Sequence, residues 1–226
     1  ESMKLISFEQ NGSNRIGAIE NGFIYDFHSI DSNISDSMLG FLQGGEVQMN
    51  LANKAIDGGK TSIPVDSVKL LSPVSNPPSV RDAYAFRQHV ATARKNRGLE
   101  MIPEFDEIPI FYFTNHNAVF GPGNFPVLKR HTEKLDFELE CAAVIGKAGR
   151  DIPVSEADNY ITGFMIMNDF SARALQMQEM KLNLGPAKGK DFGSSFGPWI
   201  VTKDELESYC ETSPEGDRYN LKMKAF

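Results

Sequence analysis

The chain has 226 residues, of which 41% are hydrophobic and 23% are charged, a composition typical of a globular protein with one or two domains. Its 23 basic and 30 acidic side chains give a formal charge of −7, which disfavours nucleic-acid binding because no overall positive field exists. No apolar stretch approaches the roughly 20 residues that a spanning helix needs. We therefore expect no membrane contact and cytoplasmic residence.

The first third of the chain predicts a small domain that contains β-strands. Three short apolar runs within residues 3–30 are separated by Asn-Gly pairs at 11–12 and 21–22, and such pairs are strong hairpin signals. Residues 36–57 are predicted to be helical, and 68–71 to form a strand. The Pro-rich joint at 73–78 predicts a boundary, which divides the chain into a small N-terminal domain, 1–72, and a second domain, 73–226.

Beyond the joint, a helix should precede a strand-rich stretch. Ser79 suits the N-cap of a helix that runs to Arg97, with Gly98 as its stop signal. The remaining predicted elements are strands at 108–113, 118–120, 135–145, 161–167 and 199–201, a helix at about 171–181 and a loop at 184–195. The predicted fold class is therefore α+β, mainly β.

The last residues, 219–226, alternate polar and apolar side chains like a half-buried strand. A terminal strand without a partner would leave backbone groups unpaired. We therefore expect the second domain to be truncated at its C-terminus, with the natural protein continuing further.

The strand predicted at 135–145 carries three acidic side chains at alternate positions. Residues two apart in a strand share a face, so Asp136, Glu138 and Glu140 should project together. Like charges aligned in this way are tolerated when solvent screens them or when a hard cation such as magnesium or calcium binds between them. Both interpretations stay open from this motif alone. Cys141, in the apolar run that follows, is expected to be a reduced and buried thiol.

Two further acidic positions follow from the predicted helices. Asp169 lies where a strand should turn into a helix, and either a functional carboxylate or a helix cap would suit that place. Asp82 and His89 are seven residues apart, which would place them on one face of the first helix, two turns apart. A metal carboxylate and a base could then share a cleft, although Ser79 and Asp82 also fit a capping pair.

A glycine-bearing loop at 184–195 contains Lys188 and Lys190. Such a loop can bring an ammonium group and backbone N–H groups to an oxyanion, or it can be an ordinary solvated loop. The order of residues does not match a P-loop, and the histidines and cysteines have no spacing typical of a zinc site.

Three segments read together are more specific than any motif alone. They are Asp-Phe-Glu-Leu-Glu at 136–140, Ile-Thr-Gly-Phe-Met-Ile-Met-Asn-Asp-Phe-Ser-Ala-Arg at 161–173, and Gly-Lys-Asp-Phe-Gly-Ser-Ser-Phe-Gly-Pro-Trp-Ile-Val at 189–201. In this order they resemble the fumarylacetoacetate hydrolase family over about residues 70–203. The resemblance implies a catalytic domain of rolled, mixed β-sheet preceded by a small β-containing domain, and a homodimer.

The resemblance also implies roles for particular residues. The implied metal ligands are Asp82, Glu138, Glu140 and Asp169, and the implied cofactor is Mg²⁺, or else Ca²⁺ or Mn²⁺. The implied catalytic residues are His89 as the base and Lys190 beside the developing negative charge. Tyr84, Arg87 and Gln176 fall at positions that face the substrate.

The activity implied by the resemblance is hydrolysis of a carbon–carbon bond in a small β-dicarbonyl or 2-oxo-acid. The metal would stabilise the enolate, and His89 would activate a water molecule. Decarboxylation, isomerisation or hydration of small oxo-acids are alternatives within the same family, because a fold does not fix a substrate. A non-catalytic protein with a structural calcium site is the alternative from another class.

Overall fold

A computed structural model of the chain describes residues 3–59 and 62–226. The helices in these ranges are α1 (Phe27–Ile30), α2 (Met38–Gln43), α3 (Gly45–Asp57), α4 (Arg87–Lys95), α5 (Glu104–Glu107) and α6 (Arg173–Glu179). The strands are β1 (Lys4–Gln10), β2 (Ser13–Glu20), β3 (Phe23–Asp26), β4 (Ser62–Pro64), β5 (Lys69–Leu70), β6 (Val80–Asp82), β7 (Tyr112–Thr114), β8 (Val119–Phe120), β9 (Leu135–Asp136), β10 (Leu139–Ile145), β11 (Ile161–Asn168), β12 (Ser171–Ala172), β13 (Ser194–Thr202), β14 (Cys210–Ser213) and β15 (Gly216–Tyr219). Short 3-10 turns cover Val65–Ser67, Lys129–His131, Val154–Tyr160, Met180–Leu182 and Lys203–Tyr209.

One large sheet of nine strands dominates the described residues. Its strand order is β10-β11-β13-β1-β2-β3-β4, with β5 paired to β1 and β8 paired to β13. The β8–β13 pair is parallel and the other pairs of this sheet are antiparallel. The predicted α+β fold with mainly β-structure is therefore confirmed. The small pairs β6–β7, β9–β12 and β14–β15 lie outside the large sheet.

Both faces of β1 are buried, and this gives the sheet a core on each side. Leu5 belongs to a cluster that includes Phe27, Phe41 and Ile200, so helices α1 and α2 cover that face. Ile6 and Phe8 belong to the opposite cluster, against which Trp199 and Leu70 pack. Burying an apolar side chain of this size stabilises a fold by roughly 1.5–3 kcal/mol, so β1 is a central contributor.

The joint at 73–78 does not interrupt the sheet. Strand β1 pairs with β2 on the N-terminal side of the joint and with β13 on the other side, through Lys4–Val201 and Leu5–Ile200. The division into domains at residues 72 and 73 stays a prediction.

Both predicted Asn-Gly hairpins are confirmed. Asn11 and Gly12 connect β1 to β2 with φ of 53° and 76°, and Asn21 and Gly22 connect β2 to β3 with φ of 51° and 82°. Two consecutive residues with positive φ are what a tight type I′ hairpin turn needs. The predicted helical region 36–57 is also confirmed, as α2 and α3.

The helix predicted from Ser79 to Arg97 is wrong in its first half. Residues 80–82 form strand β6, which pairs with β7 through Asp82 and Tyr112, and the helix begins only at Arg87. Asp82 and His89 therefore do not share a helical face, and Ser79 with Asp82 is not a capping pair. Pairing to a strand some 30 residues away overrides the local capping signal, whereas the stop at Gly98, with φ of 71°, is as predicted.

Two other expectations are wrong. Residues 220–226 form no strand and are exposed, because alternation alone cannot hold a strand without a partner. Cys141 is exposed rather than buried. It lies on β10, the first strand in the sheet order, and the neighbouring outward positions Ala143 and Ile145 are exposed as well. No helix in the described ranges combines the length and the apolarity that crossing a bilayer requires.

Candidate metal centre

Three carboxylates from separate parts of the chain converge at one place. Asp82 ends β6, Glu140 lies in β10, and Asp169 follows the last residue of β11. One carboxylate oxygen of each residue lies within 4.8 Å of the others. Asp82 and Asp169 are buried, and Glu140 is half-buried. Sheet pairing brings two of them together, since β10 and β11 are adjacent strands.

The donor set and one unpartnered oxygen fit a hard divalent cation. Oδ1 of Asp169 is buried and accepts no hydrogen bond from any described residue. An unpartnered buried carboxylate oxygen is costly, and a cation at this position would remove that cost. The group offers oxygen ligands only, which suits Mg²⁺, Ca²⁺ or Mn²⁺ better than zinc.

Glu138 lies beside this group but is held by cations of the chain itself. Its carboxylate is 2.6 Å from Nζ of Lys190 and 2.7 Å from a terminal nitrogen of Arg173. Arg173 also binds Asp136, at 3.0 Å. The acidic strand predicted at 135–145 is in fact two strands, β9 and β10, with a break between them. Three of the four predicted ligands therefore converge in the structure. The fourth, Glu138, forms ion pairs with Lys190 and Arg173.

Lys190 is the cation at the centre of the site. Its side chain is 4% exposed, and Nζ lies 2.6 Å from both Oε2 of Glu138 and Oδ2 of Asp169. A buried ammonium with two carboxylate partners is held in one position. The family resemblance implies that Lys190 lies near the metal, and the structure brings it into contact with two of the four predicted ligands.

Tyr112 is a member of the site that no sequence motif indicated. Its hydroxyl lies 2.8 Å from Oδ2 of Asp169 and 3.1 Å from Oδ2 of Asp82. The one phenol proton can be donated to either carboxylate. Only the pairing of β6 with β7 brings Tyr112 opposite Asp82, and no local signal in the sequence indicates that pairing.

Two carboxyls of the converging group have raised pKa values, and burial is the main cause of both shifts. Burial raises the pKa of Glu140 to about 9, and the neighbouring carboxylates add to this shift. Burial also raises the pKa of Asp169 to about 6, although Lys190 and Tyr112 act in the opposite direction. Without a metal, the group therefore takes up protons near neutral pH, as expected for carboxylates that share a small space.

The pKa of Glu138 is shifted in the opposite direction. Burial acts to raise its pKa, but the hydrogen bonds and charges of Lys190 and Arg173 outweigh burial and hold the pKa below its usual value. Burial raises the pKa of the Tyr112 phenol well above its usual value, and the nearby carboxylates add to the shift. Tyr112 is therefore a hydrogen-bond donor at physiological pH.

These shifts predict how a divalent cation stabilises the protein at different pH values. Carboxyls with a raised pKa in the folded state contribute stability at low pH, and this contribution is lost as pH rises from about 4 through the folded pKa values. A cation binds the deprotonated form, so it should restore more stability at high pH. We expect the increase in Tm on adding Mg²⁺ to be larger at pH 8 than at pH 5.5. Thermal scans with Mg²⁺ and with EDTA at both pH values measure this, and an equal or smaller increase at pH 8 contradicts the prediction.

The residues predicted to act on the substrate lie on a more exposed segment. His89 is exposed on α4, and no hydrogen bond or ion pair joins it to a carboxylate of the site in the part of the chain that is described. Arg87 binds Asp106 with two hydrogen bonds of 2.8 and 3.1 Å. Tyr84 stacks on Phe105 with ring centroids 5.9 Å apart. The structure therefore does not bring these three residues into contact with the acidic group.

Gln176 lies closer to the site, on α6. Its side-chain oxygen accepts a hydrogen bond of 3.1 Å from Arg173, which in turn binds Glu138. Its backbone and Cβ also pack against Gly189, beside Lys190. Gln176 thus borders the loop at 184–195 that carries Lys188 and Lys190, here called the lysine loop. The role of Gln176 in substrate binding stays a prediction.

Three converging carboxylates beside a buried lysine offer oxygen donors of the kind that a divalent cation takes. The family model described as "Fumarylacetoacetate (FAA) hydrolase C-terminal" matches residues 79–224. The chain therefore belongs to the fumarylacetoacetate hydrolase family, as the resemblance predicted.

Curated relatives include proteins with different activities. Over 106 residues the chain is 43% identical to the fumarylacetoacetase of Arabidopsis thaliana, a match that covers 46% of this chain and 23% of that protein. Over 204 residues it is 29% identical to the mitochondrial oxaloacetate tautomerase Fahd2a of Rattus norvegicus, with 89% of this chain and 59% of that protein covered. The chain thus spans less than two thirds of the length of these relatives.

Solved structures of the same fold support the family assignment. A fumarylacetoacetate hydrolase from the psychrophile Exiguobacterium antarcticum is similar with a TM-score of 0.63 and 30% identity, over 90% of this chain and 68% of that one. The maleylpyruvate hydrolase of Sphingobium sp. SYK-6, in complex with manganese(II) and pyruvate, has a TM-score of 0.64 and 20% identity, over 89% and 68% of the two chains. The latter identity supports the fold alone.

Proposed function

We propose that this protein is a divalent-metal hydrolase that cleaves a carbon–carbon bond in a small β-dicarbonyl or 2-oxo-acid, of the fumarylacetoacetate or acylpyruvate type. The observation that carries the proposal is the group Asp82, Glu140 and Asp169, with oxygens within 4.8 Å of one another, next to the buried ammonium of Lys190. The proposed cofactor is Mg²⁺, or else Ca²⁺ or Mn²⁺. A homodimer and cytoplasmic residence stay predictions.

The chain's own residues can prepare this site for enolate chemistry. A divalent ion held by the three carboxylates would polarise a substrate carbonyl and offset the negative charge of an enolate. Lys190 adds a fixed positive charge at the same place, because Glu138 and Asp169 hold its ammonium at 2.6 Å. Tyr112 holds Asp169 from another side, at 2.8 Å. The carboxylates are thus oriented before the substrate arrives, which reduces the reorganisation that the reaction would otherwise require.

The proposed hydrolysis also needs a base that takes a proton from water, and we assign this role to His89. Tyr84, Arg87 and Gln176 are the proposed substrate contacts. Arg87 is bound to Asp106 by a bidentate pair, so it must exchange this partner for a substrate carboxylate. Both members of the pair are exposed, and water screens an exposed ion pair, so the exchange costs little.

A second candidate is tautomerisation of an oxaloacetate-like acid. Two observations favour it: the alignment with the rat oxaloacetate tautomerase covers 89% of the chain, and His89 has no contact with the acidic group among the described residues. Moving a proton between the enol and keto forms does not require an activated water, whereas hydrolysis does. Decarboxylation of such an acid, or a structural calcium site without catalysis, would also use the three carboxylates.

The deciding experiment follows β-dicarbonyl ultraviolet absorbance for a panel of acylpyruvates, fumarylacetoacetate and oxaloacetate, with Mg²⁺ and with EDTA. In ¹⁸O-labelled water, hydrolysis should place label in a carboxylate product. Tautomerisation would change the absorbance with no carbon–carbon bond cleaved, and decarboxylation would release carbon dioxide. If Mg²⁺ or Ca²⁺ raises Tm but the protein turns over no member of the panel, the result favours a structural metal site and rejects the hydrolase.

A further inference from the structure

The carboxylate of Glu179 binds three consecutive backbone N–H groups of the lysine loop. Oε1 accepts hydrogen bonds from Ala187 at 2.9 Å and from Gly189 at 3.0 Å, and Oε2 accepts one from Lys188 at 2.6 Å. Glu179 is the last residue of α6 and is half-buried. Successive backbone N–H groups that point at one anion form a concave anion site, and here the anion is a side chain of the protein itself.

The same loop leads directly to Lys190. The N–H groups of Lys190 and Asp191 both donate to the carbonyl of Ala187, at 2.9 and 2.8 Å, so residues 187–191 form a tight turn. The side chain of Lys190 then runs inward to Glu138 and Asp169. A single peptide bond therefore separates the last N–H held by Glu179 from the residue that carries the central ammonium.

The loop also lies directly on the elements that precede Glu179. The N–H of Ala172 donates to the carbonyl of Gly189 at 2.9 Å. A Cβ added at Gly189 would lie 2.7 Å from Cβ and 2.8 Å from Cα of Gln176, which leaves no room for a side chain. The loop is thus fixed at the start of α6 by one backbone hydrogen bond and at its end by the three bonds to Glu179.

We infer that Glu179 is a positioning residue of the metal centre: by fixing the turn at 187–189 on the end of α6, it sets where the Lys190 ammonium stands between Glu138 and Asp169. The inference deepens the proposed function and rests on it for the effect on catalysis, but the positioning itself is independent of any reaction. Glu179 is not one of the three carboxylates that converge at the candidate metal centre, and its two oxygens accept three N–H donors of the loop. Some groups orient the ligands of a metal site without binding the metal themselves. Replacing such a group commonly lowers metal affinity or activity by about 10–100-fold.

The test replaces Glu179 by glutamine, which keeps the size of the side chain but puts an NH₂ group against an N–H donor of the loop. Acetylation of lysines, read by mass spectrometry, reports the accessibility of Lys190. We expect Lys190 in Glu179→Gln to react faster than in the parent protein, with the labelling rate of the exposed Lys188 unchanged. Glu207→Gln is the matched control, since that carboxylate is exposed and has no hydrogen-bond or ion-pair partner within residues 3–59 and 62–226.

A second measurement needs no variant. Amide hydrogen exchange on the parent protein should show residues 187–189 protected, and rapid exchange there would overturn the inference even if Glu179→Gln did not fold. A folded Glu179→Gln in which Lys190 stays as unreactive as in the parent also overturns it. With an active substrate, kcat should fall about 10–100-fold with KM little changed, and Glu179→Asp should recover part of the loss. Faster Lys190 labelling in a protein that turns over no substrate supports the positioning role and rejects only the proposed activity.

Discussion

Replacing Lys190 by methionine is expected to lower kcat by about 10²–10³-fold at saturating Mg²⁺, because the variant loses the fixed positive charge beside the developing enolate. The same change leaves Glu138 and Asp169 without their shared cation in a place where the carboxylate of Asp169 is fully buried. Removing one partner of a buried ion pair costs about 3–5 kcal/mol. The metal-free variant should therefore unfold at lower temperature than the parent at pH 8, and Mg²⁺ should restore more stability to the variant than to the parent.

The matched control is Lys188→Met, in the same loop. Lys188 is exposed and has no acidic partner within 4.0 Å among the described residues, so its replacement should change neither kcat nor the metal-free Tm. Steady-state kinetics and thermal scans with and without EDTA measure both effects. If Lys190→Met keeps the parent kcat, the ammonium is structural only. If its metal-free Tm is also unchanged, the contacts at 2.6 Å contribute nothing to folding.

The features that sequence could predict are those encoded by neighbouring residues. The two Asn-Gly turns follow from two adjacent residues that tolerate positive φ, and the apolar run at 161–167 forms β11 almost as predicted. The acidic alternation at 136–140 includes Glu140, which lies in the converging group of carboxylates, although the break between β9 and β10 could not be predicted from it. In each case the deciding interactions lie within a few residues along the chain.

The features that sequence could not predict depend on distant pairing. Tyr112 reaches Asp82 and Asp169 only because β6 and β7 pair, and this pairing joins Asp82 to a residue 30 positions further along the chain. Ser79 and Asp82 satisfy the local rule for a helix start, and the strand pairing overrides that rule. The three N–H groups that bind Glu179 belong to residues eight to ten positions further along, in a loop whose turn has no sequence signature. Local sequence patterns therefore indicated the acidic segment, but they did not indicate the residues that orient its carboxylates and Lys190.

The role of Glu138 is where the resemblance and the geometry differ most. The resemblance makes Glu138 a metal ligand, whereas the structure gives its carboxylate to Lys190 and Arg173 at 2.6 and 2.7 Å. Its pKa is held low by these cations, while that of Glu140 is raised to about 9. A carboxylate that already has two cationic partners gains less from a metal than one that shares its space with other carboxylates. Glu140 should therefore contribute more to metal affinity than Glu138.

Asp169→Asn is expected to abolish Mn²⁺ binding and metal-dependent turnover while the fold is retained. The reason is the direction in which the new amide must point. Lys190 and Tyr112 both donate toward Oδ2 of Asp169, so the amide oxygen has to take that position. The NH₂ group then replaces Oδ1, the buried oxygen without a hydrogen-bond partner among the described residues. An amide nitrogen has no lone pair for a cation, so the substitution removes a negative charge and one oxygen ligand from the group of three carboxylates.

The measurement is a pair of crystals soaked in manganese, with titration calorimetry in solution. The parent should show anomalous density among Asp82, Glu140 and Asp169, and Asp169→Asn should show none. Loss of a ligand should weaken Mn²⁺ binding by more than the 10–100-fold typical of groups outside the ligand shell. Asp66→Asn, at an exposed position in a 3-10 turn, should bind Mn²⁺ like the parent. Since the hydrogen bonds to Lys190 and Tyr112 survive in Asp169→Asn, retained manganese binding in that variant would mean that Asp169 is not a required ligand of the manganese site.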